Sequence, residues 1–328
     1  MKIHLSFDYE LFFGSHTGSI EKCMLKPTQK LMDLSAKHNI QLIFFVDAGY
    51  LFQLKQHAHD VMCRNDYQIV AAQIKTLSDR GHEIALHVHP HWEDCKFENG
   101  EWLIDTRRYK LSDFSEEEAS SIISKYHKCL IDIAGKNCHS FRAGGWCIQP
   151  FPHIKDALVR NKIFTDSSVY QNGFHNSEAH AYDFRTAPNK SSWHFEDDCC
   201  TELKAGSFLE VPSTNDTIPP TFYWNLYLKM KLNPEQFKPM GDGMWLKDKG
   251  KIYRQFYNNT NHFACADGYF ASRLLGILKK QESKKAERMM VLSHPKSLAV
   301  CSFNLLDEFI VEAKNRRHTF STLVNNEA

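Results

Sequence analysis

The chain has 328 residues, of which 42% are hydrophobic and 24% charged, enough for one large core and incompatible with global disorder. Forty Lys and Arg against 39 Asp and Glu leave a formal charge of +1, so no basic field favours a nucleic acid or an anionic lipid surface. No stretch of the length and apolarity of a membrane span occurs, and MKIHLSFDYE lacks the apolar segment and cleavage site of a secretory leader. A cytoplasmic protein is expected.

In chain order, Ile3, Leu5 and Phe7 alternate up to Asp8, the pattern of a strand that delivers a polar residue at its end. Pro27 opens a helix carrying Leu31 and Leu34 to about His38, and Leu42 to Val46 forms the next strand. Ile69, Val70, Ile74 and Leu77 mark a second helix that Gly81 stops, and Glu83 to His87 follows as a strand. Ser115 and Glu118 make a capping box ahead of Ile122 to Ile133, Gly135 ends that helix, and Ser140 to Arg142 extends.

The rhythm continues with a helix over Ile154 to Arg160, an extended Phe164 to Asp166, a helix near Tyr269 to Leu278, a strand Met289 to Ser293 and a helix Leu305 to Lys314. Such alternation predicts an α/β fold with parallel strands. It breaks between about 170 and 267, read as an irregular insertion in a single domain spanning 1–328, with only Phe208 to Val211 strand-like. The aromatic group Phe222, Tyr223, Trp224 and Tyr227 there is either local core or a platform for a sugar ring.

Ten cysteines are scattered without a C-x-x-C pair, the pattern of reduced, mostly buried thiols in a chain too long to need staples. Cys199 and Cys200 follow His194, Glu196, Asp197 and Asp198, but adjacent ligands rarely converge on one tetrahedral ion, and a solvated loop is expected. Asp8, His87, Arg142, Asp166 and His294 each fall at or just after the end of a predicted strand, the active face of a parallel α/β barrel. GHEIALHVHPHW offers His87, His89 and His91. His87 and His91, four apart, can meet one ion if the chain turns at Pro90; His89 is left unassigned.

SFDYE, GHEIALHVHPH, FRAGG, TDSSVY and VLSHP occur in that order and resemble the five motifs of the polysaccharide deacetylases of carbohydrate esterase family four, the nodulation-factor deacetylase homology domain. The resemblance covers Lys2 to about Leu323, with 170–267 outside it. It implies a distorted (β/α) barrel of seven or eight units and metal-dependent removal of an acetyl group, usually from nitrogen, on a sugar.

By that resemblance Asp8 is the general base on the metal-bound water, and His87 and His91 are metal ligands. Tyr9 stands where the family has a metal-binding Asp, and a phenol with a pKa of about 10 is a poor ligand at neutral pH. Glu10 then takes the role of anionic ligand, the alternative being Asp8 itself. Arg142 is expected to orient Asp8 through a bidentate pair, although FRAGG departs from the family's R-x-P-x-G. His294 is the general acid for the leaving amine, with Asp166 accepting its second N–H.

The implied cofactor is a divalent ion, zinc by default, since histidine and carboxylate suit zinc and other first-row ions alike. The implied partner is a carbohydrate, with an O-antigen or capsule intermediate as a reasonable class for a protein working in the cytoplasm. An allantoinase-like hydrolase of a non-sugar C–N bond and a metal-free glycan-binding module are the alternatives.

Overall fold

The computed structural model describes residues 1–245 and 254–324, and the chain divides into two compact units. One comprises residues 1–40 and 214–321; the other comprises 41–213 and the segment from Thr322 onward.

In the first unit, the opening strand Lys2–Tyr9 pairs in parallel with Arg288–Ser293 and, at its start, with Thr319–Phe320. Ile3, Leu5 and Phe7 are buried as the alternation predicts, and the intervening His4 and Ser6 are buried as well, so this strand is covered on both faces, as parallel strands are. The register sets Phe7 beside Ser293, which brings Asp8 level with His294 one residue further on. Helix Lys26–His38 follows the sequence pattern and Val300–Asn315 contains the expected 305–314, whereas the helix expected near Tyr269 to Leu278 is a tight 3-10 segment Gly268–Arg273 that runs into the α-helix Leu274–Ser283.

The second unit carries a sheet whose hydrogen-bonded order is Trp193–Phe195, Phe208–Glu210, Thr165–Asp166, Ser140–Ala143, Glu83–Val88 and Ile43–Asp47. All neighbours are parallel except the first pair. The register places Asp47 beside His87 and His87 beside Arg142, so one row of polar residues lies across the C-terminal ends of three strands. The capping box forms as read: the Ser115 hydroxyl accepts from Glu118 N–H, the Glu118 carboxylate accepts from Ser115 N–H, and Gly135 ends the helix in the left-handed conformation at φ 72°.

The 170–267 stretch interrupts the alternation, but its described part is structured. It holds two-stranded ribbons, Phe174–Asn176 with Ala181–Asp183 and Asn215–Ile218 with Thr260–Phe263, and a helix Pro220–Leu232. On that helix Phe222 and Tyr223 pack with Ile218 into a local core, whereas Trp224 and Tyr227 are exposed. All ten cysteines are described, and all are free thiols in buried positions. Among the described residues no helix is long and apolar enough to cross a membrane.

Candidate active site

The first unit gathers Asp8, Glu10 and His294. Side chains alternate along an extended chain, so Asp8 and Glu10 share one side while Tyr9 points to the other. Tyr9 is fully buried, and burial pushes its phenol far above the ordinary range, so it stays protonated and offers no anionic ligand. His294 Nε2 stands 3.7 Å from Asp8 Oδ2 and 3.9 Å from Glu10 Oε1.

The other ring nitrogen of His294, Nδ1, is 2.9 Å from Asp267 Oδ2, and its backbone N–H donates to Asp267 Oδ1 at 2.9 Å. Asp267 is therefore the carboxylate that orients His294, the role the sequence reading gave to Asp166. A non-local contact positions it. Leu292 N–H donates to Ala264 C=O at 3.0 Å and Ala266 N–H to the Ser293 hydroxyl at 2.7 Å, so the chain leading to Asp267 runs along the last strand.

Burial alone would lower the His294 pKa. The Asp267 carboxylate, helped by Asp8 and Glu10, overcomes this and holds it above the ordinary histidine value. With Nδ1–H committed to Asp267, the ring presents Nε2 toward Asp8 and Glu10.

Glu10 Oε1 also accepts from Lys296 Nζ at 2.8 Å. Lys296 has no exposed surface; its ammonium donates to Leu11 C=O at 2.5 Å and lies over the Phe12, Phe13 and Trp245 rings. This buried cation fixes the carboxylate by charge and hydrogen bond together.

The second unit gathers His87, His89, Arg142 and Asp166. His87 Nδ1 is 2.8 Å from Arg142 C=O; a carbonyl can only accept, so Nδ1 carries the proton and Nε2 the lone pair. That Nε2 is 3.0 Å from His89 Nε2. His91 sits in the short turn Pro90–Glu93 that Pro90 begins, its ring stacked on Tyr109 with centroids 5.0 Å apart and on Trp92 at 5.5 Å. Trp92 is anchored in turn by donating its Nε1–H to Asp47 Oδ2 at 2.6 Å.

Arg142 is buried. Its Nε donates to Ser167 C=O at 2.9 Å, an Nη donates to Ser167 Oγ at 3.0 Å, and its guanidinium stacks on Phe45 at 3.7 Å. Asp166 accepts from Ser168 Oγ at 2.6 Å and Ser168 N–H at 3.1 Å and faces Glu210 across the parallel register. Both carboxyls are buried, and burial, reinforced by the Asp166 charge, pushes Glu210 well above the carboxylate range. Glu210 Oε1 accepts from Val169 N–H at 3.2 Å.

Asp198, Cys199 and Cys200 bring potential ligand atoms within 4.8 Å of one another. Asp198 is occupied as a turn-former, accepting from Cys200 N–H at 2.9 Å and Thr201 Oγ1 at 2.7 Å, and the neighbouring Cys200, followed by burial, pushes the Cys199 thiol up, away from the thiolate an ion needs.

Asp267, Lys296, Glu210 and His89 are the site residues that sequence reasoning did not assign. Lys296 lies just past the last motif, where a lysine carries no signal of burial, and Asp267 and Glu210 lie in or beside the segment without periodicity.

The fold compares with solved structures over its whole length. A Mycobacterium smegmatis protein assigned to the polysaccharide deacetylases superposes with a TM-score of 0.53 at 16% identity, covering 100% of this chain and 94% of that one. Puue allantoinase superposes with a TM-score of 0.51 at 12% identity, covering 99% and 88%. At such identities the likeness is one of fold: α/β, a distorted (β/α) barrel of the polysaccharide deacetylase type. No protein-family model matches the sequence, and no curated protein matches it.

Proposed function

We propose that this chain is a metal-dependent hydrolase that removes an acetyl group from an N-acetylated sugar of a polysaccharide or glycan precursor. The observation that carries the reading is the His294–Asp267 pair, whose Nε2 faces Asp8 at 3.7 Å, a proton donor beside a base. Amide hydrolysis needs a base for the attacking water, a stabiliser for the oxyanion and a proton for the leaving nitrogen. Asp8 takes the proton from water as the new C–O bond forms. His294, held protonated by Asp267, gives one to the nitrogen as the C–N bond breaks, so that acetate and a free amine result.

The donor set fits a divalent ion. His87 donates Nδ1–H to a carbonyl and keeps Nε2 for a ligand, the outer-shell arrangement of metal-binding histidines, and Glu10 is an acid at a strand end. The ion would be held by Glu10, His87 and a second histidine of the 87–91 stretch, which the sequence resemblance gives as His91. When bound, it would polarise the carbonyl and lower the pKa of water. Zinc suits these ligands, as do other first-row ions. Arg142, next to His87 in register, is proposed to orient Asp8. An intermediate of surface-polysaccharide assembly in the cytoplasm is the substrate class this reading favours.

The test is acetate release from N-acetylglucosamine oligomers by protein loaded with zinc, cobalt or nickel, beside chelated protein and His294→Ala. Release that chelation abolishes, and that His294→Ala lowers by about 10² to 10⁴, is expected. Absence of acetate from every acetylated sugar, with opening of a cyclic ureide instead, would move the assignment to the allantoinase-like reaction. Glycan binding without any hydrolysis would leave a binding module.

A further inference from the structure

We infer that His89, and not His91, is the second histidine of the metal site, resting on the reading that the protein holds a divalent ion. His87 and His89 are two apart on an extended chain, so their side chains lie on one side, and they converge with Nε2 atoms 3.0 Å apart. Two nitrogens each about 2.0 to 2.1 Å from one ion lie roughly 3 to 3.4 Å apart, so the pair already has the separation of a chelate. The His87 tautomer is fixed by Arg142 C=O, which turns a bare lone pair toward His89. A lone pair there requires a proton or a cation opposite it. His89 Nε2–H can supply that proton; with an ion held there, His89 would take its Nδ1–H form, leaving the Nε2 lone pairs of both rings for the metal.

The neighbouring backbone is shaped around this ring. A Cβ on Gly144 would stand 2.5 Å from His89 Nδ1 and 2.7 Å from Val88 C=O, so glycine at this position of FRAGG lets the chain pass directly against the His89 imidazole. His91 is placed differently. Its ring is parallel to Tyr109, with an interplanar angle of 12°, and to Trp92 at 25°, and it belongs to the turn that Trp92 pins to Asp47. These ring contacts seat His91 in the turn.

The inference is tested by zinc content and by competition against a chelating dye for wild type, His89→Asn, His91→Phe and His91→Gln, with circular dichroism confirming the fold of each. Loss of an outer-shell partner lowers metal affinity about 10- to 100-fold, so loss of a direct ligand at His89 is expected to exceed 100-fold, while His91→Phe, which keeps the stacked ring, retains one ion per chain. Cadmium-113 coupling to ring nitrogen-15 in the wild type gives the same answer without substitution: coupling to His87 and His89 Nε2, none to His91. An ion retained by His89→Asn and lost by both His91 variants, or coupling to His91, overturns the inference while leaving the metal reading standing. No ion in the wild type after loading overturns both.

Discussion

Asp267→Asn isolates the assignment of His294 as the proton donor. Asparagine keeps an oxygen for the His294 backbone N–H, now accepted at 2.9 Å by Asp267 Oδ1, but sets an amide NH₂ where Oδ2 accepts from Nδ1. The ring must then accept at Nδ1, which disfavours the imidazolium. A hydrogen bond to a charged partner contributes about 1.5 to 3 kcal/mol, and at about 1.4 kcal/mol per decade the turnover rate should fall roughly 10- to 150-fold.

The pH response has a defined sign. The folded His294 pKa lies above the ordinary value, so the stabilisation from this pair is fully present below the unfolded histidine pKa and lost as pH rises through the folded one. The variant should be destabilised most at low pH and converge on wild type at high pH, and the alkaline limb of its rate profile should move to lower pH. Acetate release across pH, paired with thermal melts at each pH, reads both. An unmoved alkaline limb with an unchanged rate would refute the assignment.

Three further outcomes follow from the packing. Gly144→Ala puts a methyl group 2.7 Å from Val88 C=O, a backbone atom that cannot swing aside, and should cost about 1 to 3 kcal/mol in urea unfolding. Lys296→Met leaves the Glu10 carboxylate without its 2.8 Å buried partner and should cost about 3 to 5 kcal/mol, much of it recovered by adding Glu10→Gln. Glu210 has a folded pKa raised by burial and by Asp166, so its contribution is present below the unfolded value and is lost as pH rises through the folded one. Glu210→Gln, a side chain of the same shape that carries no charge at any pH, should therefore melt higher than wild type at alkaline pH, with the advantage shrinking toward acid.

Strand and helix alternation was legible because each element carries its own local signal, as Ser115 with Glu118 and the run Ile3, Leu5, Phe7 do. The helix Ala48–Gln56 was not foreseen: it starts directly after the strand ending at Asp47, with no turn between the two apolar runs to separate them. The polar residues at strand ends were legible for the same local reason.

Their partners were not. Asp267 reaches His294 because the chain from Ala264 is bonded to the last strand, a contact that no spacing encodes. Lys296 reads as a surface lysine until Glu10 and three aromatic rings are found around its ammonium. Glu210 and Asp166 meet only through the register of two short strands.

The most direct measurement is elemental analysis of the purified protein after zinc loading, for wild type beside His87→Ala and Glu10→Ala at equal concentration. One ion per chain is expected in the wild type, with its loss in both variants. Loss in His87→Ala alone would transfer the anionic ligand to Asp8 and reopen the identity of the base. A wild type that takes up no zinc, cobalt or nickel would contradict the metal-dependent hydrolase outright.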